Sequence, residues 1–438
     1  MSHYLLPSTP MYGHVAPMIG IGRGLVRGGH RVTLLTGSKF RSAALDAGLS
    51  FLPLPAEADY DDADLDAWLP GRHHYRGLAA GRYDVIGLFV GPLPAQHRAL
   101  TAALAADAYD AVVCEAAFLG ALPLLLTEQP GTRPPVVGVS ATPLQVRSVD
   151  CAPFGSGLHP RNSPFTRNRN RIIDAFLQRG PLRPINRALE DALATVGVHE
   201  PAGSYFDHAT AFDVTFHLAP PSMEYPRREL PASVRFTGPL RTGPVPPRAL
   251  PPWWGDLDGS RPVVHVTQGT LDNVDLGKLL VPTIAALARE DVLVVASTGG
   301  RPVESVRERF AGRWPGNVRL AEFLPYDDLL PRTAAVVTNG GFGGVQRALA
   351  AGVPLVVAGR GEDKPEVAAR VSWCGAGVDL RTDRPSPAQV RRAVAKVLER
   401  PRYRVAAERV QREIAACGDP VETIAATLEQ LGSGIAVH

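Results

Sequence analysis

Lysine is nearly missing from this chain of 438 residues, with only Lys39, Lys278, Lys364 and Lys396 among 46 basic residues. Against 43 Asp and Glu the net charge is only +3, too small to require nucleic acid or an anionic membrane as a partner. Cysteine is as sparse. Cys114, Cys151, Cys374 and Cys417 stand far apart without a CxxC pair, which argues against a disulfide framework and a cysteine-built zinc site. A reduced, cytoplasmic setting is expected. HExxH and GxSxG are both absent, removing the commonest zinc-protease and serine-hydrolase signatures. The longest apolar run, residues 118–126, is too short for a transmembrane segment. Beyond Tyr4-Leu5-Leu6 the N-terminus enters a loop, so no secretory signal is expected.

What is present is ordinary globular composition, 45% hydrophobic and 20% charged, in a chain too long for one hydrophobic core. Short apolar runs alternate with helical patterns, the signature of parallel sheets made from strand–helix–strand units. Strands are expected at residues 4–8, 31–36, 111–114 and 136–140, then at 263–267, 292–297, 318–323, 335–338 and 354–358. Two such series predict an α/β fold of two doubly wound, Rossmann-like domains facing a central cleft. The Pro- and Gly-rich stretch 241–255 reads as the linker between a domain at 1–240 and one at 256–415. Ser386 is placed to cap a helix that starts at Pro387 and turns Val390, Val394 and Leu398 inward. A final helix, within 416–438, would pack back on the first domain. Residues 55–100 and 141–235 read as irregular segments that shape a substrate pocket.

Three loops at expected strand ends carry the residues for chemistry. Pro10-Met11-Tyr12-Gly13-His14-Val15-Ala16-Pro17 puts His14 at a strand tip, with an ordinary pKa near 6.5 suited to accepting a proton. Its plain alternative is a surface histidine. Asn339-Gly340-Gly341-Phe342-Gly343-Gly344 precedes a helix, where glycines admit a pyrophosphate to unpaired amides; it also reads as a tight turn. Thr267-Gln268-Gly269-Thr270 offers hydroxyls to phosphate. In Gly361-Glu362-Asp363-Lys364-Pro365-Glu366, a carboxylate beside an ammonium suits sugar hydroxyls, or simply an exposed helix start.

Together with Phe323-Leu324-Pro325-Tyr326 and Ala350-Ala351-Gly352-Val353-Pro354, these segments resemble, in order, the UDP-glucuronosyl/glucosyl transferases and bacterial macrolide and antibiotic glycosyltransferases. The resemblance implies a GT-B fold and inverting, metal-independent transfer from a UDP- or TDP-sugar to a hydroxyl of a small lipophilic natural product. It implies no cofactor. His14 would be the general base and Glu115, where the family has aspartate, its orienting carboxylate. Phe323 would stack on the nucleobase in place of a tryptophan, and the Leu324 backbone would bond its edge. Thr267, Gly269, Thr270, Asn339, Gly340, Gly341, Gly343 and Gly344 would lie along the diphosphate, with Asp363 and Lys364 at the sugar. Asn339 replaces a frequent histidine, Gly344 a hydroxyl residue, Arg347 a ribose-binding glutamate and Lys364 a glutamine.

A nicotinamide dehydrogenase is disfavoured because Gly20, Gly22 and Gly24 lie inside the first helix rather than in its turn. A sugar-nucleotide epimerase would share the donor site without needing an apolar acceptor pocket. Asp62-Ala63-Asp64 spells DxD, but in an acidic run away from the donor loops. The Arg-rich stretch 161–187 reads as a solvated helical face, or else as a contact for an anionic acceptor or membrane surface. The sequence leaves the oligomeric state open.

Overall fold

A computed structural model describes residues 1–161, 163–201, 203–240, 250–270 and 272–432. The first sheet contains β1 (His3–Pro7), β2 (Arg31–Thr36), β3 (Ser50–Pro53), β4 (Ala111–Glu115), β5 (Val136–Ser140), β6 (Val214–His217) and β7 (Val234–Phe236). Its order is β3-β2-β1-β4-β5-β6-β7. The second contains β8 (Val263–Thr267), β9 (Leu293–Ser297), β10 (Val318–Ala321), β11 (Ala335–Thr338), β12 (Leu355–Val357) and β13 (Gly377–Asp379), ordered β10-β9-β8-β11-β12-β13. Every strand pair is parallel.

Parallel strands form here because helices cover both sheet faces, so both sides of each strand can be apolar. In β4, Val113 packs on one side with Val15 and Met18 while Val112 packs on the other with Leu100 and Phe118. In β11, Val337 and Val336 divide in the same way between two clusters.

Each sheet reverses its winding once, between β1 and β4 in the first and between β8 and β11 in the second. At such a reversal the loops leaving neighbouring strands diverge and open a crevice at the strands' C-terminal ends. The sequence motifs with the strongest chemistry follow β1, β8 and β11.

Residues 141–235 are more regular than expected. They supply β6, β7 and the helices Pro164–Arg179 and Arg183–Thr195. The expected linker falls largely on 241–249, outside the described residues, and Trp253 and Trp254 pack beside Leu257 and Val263 of the second half. The capped helix spans Pro387–Glu399, with Ser386 and Gln389 forming a reciprocal capping box. The last helix, Pro420–Gly432, does return to the first sheet: Ile424 and Leu428 are buried with Met18 and Ile21. Gly24 leaves it room, because a Cβ there would lie 2.5 Å from Val421.

A buried ion network joins the halves. Arg370 Nε and Nη2 donate to Glu224 Oε1 and Oε2 at 2.8 and 2.9 Å, while Nη1 donates to Glu366 Oε2 at 2.7 Å. Glu366 Oε1 accepts from Gly155 N and Gly157 N at 2.8 and 3.0 Å. Burial opposes the Arg370 cation, yet the facing carboxylates raise its pKa further, so it stays charged. Removing one member of such a network strands the others without water. Arg370→Leu should cost about 3–5 kcal/mol, read as a lower urea midpoint; an unchanged midpoint would show that the network contributes nothing net.

Candidate active site

His14 lies one turn into helix Tyr12–Arg27, not in the preceding loop as expected. The Tyr12 amide at this helix start donates to Asp62 Oδ2 at 2.5 Å, and Asp62 also pairs with Lys39. Asp64 accepts from Ala67 N at 3.2 Å. The two DxD carboxylates therefore hold local structure around the entry to the His14 helix.

Because β4 is the neighbour of β1, Glu115 at the end of β4 meets that helix. His14 Nδ1 lies 2.9 Å from Glu115 Oε1, with the two side chains 13% and 3% exposed. The same oxygen accepts from Ala117 N at 2.9 Å, which fixes the carboxylate. Burial alone would lower the His14 pKa, but Glu115, with Asp363 and Glu362 beyond it, raises it above the ordinary value. Pairing through Nδ1 leaves Nε2 as the basic nitrogen.

An apolar wall stands beside this pair. The Phe89 ring centroid is 5.8 Å from that of His14, in the π-helical turn Ile86–Val90. Phe89 packs with Met11, Trp68 and Tyr83 around buried Tyr60, Leu69 and Leu88. Residues 55–100 supply this aromatic cluster beside His14, with helix Leu93–Ala106 covering the sheet behind.

The second half presents two loops at its own winding reversal. Asn339 Nδ2 donates to Gln268 O at 2.6 Å, tying the loop after β11 to the loop after β8. Gly269 and Gly340 both have positive φ, +70° and +92°, and a Cβ on Gly340 would lie 2.8 Å from Val357. Thr267 Oγ1 accepts from Gly269 N at 3.1 Å, so this hydroxyl shapes its loop, whereas Thr270 is exposed. Gly341 caps helix Phe342–Ala350 without any side-chain hydrogen bond. Gly343 and Gly344 are exposed and have nothing within 4 Å of where a Cβ would be. The first-turn amides are consequently open, at the positive end of the helix dipole.

Phe323 is 45% exposed and Leu324 is buried. A Cβ on Gly300 would lie 2.9 Å from Phe323 Cζ, so the glycine lets this ring approach the loop after β9. Arg347 pairs with Asp327 at 2.8 Å and sits over Tyr326 at 5.3 Å.

At the start of helix Lys364–Trp373, Lys364 Nζ pairs with Glu362 and lies 3.7 Å from Asp272 Oδ2. Burial opposes its charge, but those carboxylates raise its pKa, so it balances an acidic cluster rather than standing as a lone cation. Burial, then the Glu362 charge, pushes Asp363 up to about 6, with Lys364 and His14 pulling the other way. Asp272 and Gly300 belong to no motif; only the fold brings them to the site.

The combination of two parallel sheets, a histidine–carboxylate pair on one and open phosphate-type loops on the other defines a nucleotide-sugar transferase architecture. Its fold matches CalG4, a calicheamicin glycosyltransferase, over 100% of both chains at 24% identity and TM-score 0.74. The glycosyltransferase SnogD from Streptomyces nogalater gives TM-score 0.64 at 23% identity, over 98% of this chain and 99% of that one. Residues 283–431 match the family described as Erythromycin biosynthesis protein CIII-like, C-terminal domain. The 4'-demethylrebeccamycin synthase of Lentzea aerocolonigenes is 41% identical, covering 96% of this chain and 97% of its own. UDP-glycosyltransferase 2 of Phaeomoniella chlamydospora is 36% identical, over 98% and 96% respectively. The chain belongs to this GT-B glycosyltransferase family, and it is a glycosyltransferase.

A protonated base cannot accept a proton, so a raised His14 pKa places the acid limb of kcat/KM above pH 6.5. In Glu115→Gln the raising charge is gone, burial dominates and the limb should move to lower pH. The plateau should fall roughly 10²-fold or more as the ring loses its orientation. A pH profile with an aliphatic alcohol acceptor reads both; an unmoved limb would separate Glu115 from the titrating group.

Proposed function

We propose that the chain moves a hexose or deoxyhexose from a UDP- or TDP-sugar to a hydroxyl of a small lipophilic natural product. The observation that carries this reading is the His14–Glu115 pair, 2.9 Å apart, set between an aromatic wall and the acidic cluster around Asp363. The 41%-identical relative, named 4'-demethylrebeccamycin synthase, supports a small natural product as the acceptor.

In this mechanism the acceptor hydroxyl lies against Phe89 and gives its proton to His14 Nε2. Its oxygen forms the new bond to the anomeric carbon as the bond from that carbon to the diphosphate oxygen breaks. Glu115 holds the ring and stabilises the imidazolium that results. The nucleoside diphosphate leaves with its charge on the open amides at Gly343 and Gly344 and the N-terminal end of helix Phe342–Ala350. Phe323 supports the base, Asn339 holds the loop, and Asp363 accepts from sugar hydroxyls. One displacement of this kind inverts the anomeric centre. Neither a metal nor a cofactor enters it, and a cytoplasmic setting is part of the reading.

Free UDP and TDP release, measured over a panel of sugar nucleotides in EDTA with and without pooled phenolic and macrolide acceptors, tests it. Release should require acceptor and fall about 10²–10⁴-fold in His14→Ala. Release without acceptor would favour hydrolysis or epimerase-type chemistry, and loss of turnover in EDTA would contradict metal independence.

A further inference from the structure

Helix Pro164–Arg179 carries an apolar stripe on its exposed face. The residues it buries are polar, Thr166 and Asn170. Asn170 Nδ2 donates to Val149 O at 2.9 Å, Asp174 Oδ2 accepts from Arg147 Nη2 at 2.5 Å, and Gln178 Nε2 donates to Ser204 Oγ at 3.1 Å. Ile173 and Leu177 are half-buried on this inner face, but three of its large apolar residues point the other way. Phe165, Ile172 and Phe176 are 81%, 69% and 68% exposed. A surface helix normally turns its apolar stripe to the core. A lone exposed apolar residue needs no explanation. Three on one face, spaced by seven and four positions over about 16 Å of helix, form a stripe that folding does not use.

The surroundings of the stripe are cationic. Residues 161–187 contain seven arginines and one aspartate, a net +6, which leaves −3 for the rest of the chain. Arg171, Arg179, Arg183 and Arg187 are exposed and form no ion pair among the described residues. The one acid, Asp174, is already committed to Arg147.

We propose that this helix docks the protein on an anionic lipid bilayer, with Phe165, Ile172 and Phe176 at the acyl boundary and the flanking arginines among the headgroups. An exposed apolar face bordered by unpaired cations is the pattern of a helix lying in the membrane interface. A bilayer fits better than a protein groove because the stripe is convex and continuous, and a fluid surface moulds to it. Through Arg147 and Asn170 the inner face of the helix grips residues 147–150, which lead to the Gly155–Gly157 turn held by Glu366. Docking would bring that substrate-side loop close to the layer where lipophilic molecules collect. The inference concerns location and holds for any acceptor.

Sedimentation with vesicles of phosphatidylcholine, alone or mixed with phosphatidylglycerol, tests it on the full chain. The protein should pellet with the mixed vesicles and several-fold less with the neutral ones, and added salt should release it. The triple variant Phe165→Ser, Ile172→Ser, Phe176→Ser should lose binding roughly tenfold or more. Its transfer to a water-soluble acceptor should stay unchanged, which shows that it folds. Wild-type protein left in the supernatant, equal pelleting with both vesicles, or equal pelleting of the variant would overturn the proposal. So would a dimer by light scattering that the triple variant dissolves, because a second copy would then cover the stripe.

Discussion

A buried guanidinium bridges the two sides of the cleft. Arg370 lies on the helix that begins with Lys364, and its carboxylate partners come one from each half, Glu224 and Glu366. All three side chains are almost wholly shielded from water. Charges so placed do little for net stability by themselves, since desolvation offsets most of their attraction. What they supply is a fixed distance. The same helix start carries Asp363, and Glu366 also anchors the Gly155–Gly157 turn, so the network ties that helix to a loop of the first half.

Within that frame the chemistry follows from strand order. β1 and β4 are neighbours only because the first sheet reverses between them, and that alone brings His14 against Glu115, distant in sequence. β8 and β11 repeat the arrangement, joined by the Asn339–Gln268 bond. The electrostatics then run across the cleft. Glu115 raises the His14 pKa, while burial and Glu362 raise that of Asp363 to about 6. A base ready to take a proton thus faces a carboxyl group that exchanges one near neutrality.

Much of this was legible in the sequence because buried parallel strands advertise themselves. Val136–Ser140, Val263–Thr267 and Ala335–Thr338 are apolar runs closed by turn residues, and the segments following β1, β8 and β11 carry recognisable glycines and a histidine. Strands β3, β6, β7 and β13 escaped notice because they are three or four residues long and, like Val234–Phe236, include polar positions. The Glu224–Arg370 bridge spans 146 positions, and neither residue belongs to a motif. Asp272 reaches Lys364 only through the fold. The Arg-rich segment was legible only in part. Its composition left a solvated face and a membrane contact both open, and only three-dimensional placement shows that Phe165, Ile172 and Phe176 share the outward face.

The proposed direct displacement, with His14 as base, forms no covalent sugar–enzyme intermediate. Asp363 is the carboxyl group that a two-step, retaining route would require as nucleophile. The configuration of the glycosidic bond, read by proton NMR on product made from an α-linked sugar nucleotide, decides between them. Direct displacement gives the inverted, β-linked product. An α-linked product would contradict it and move the chemistry from His14 to Asp363.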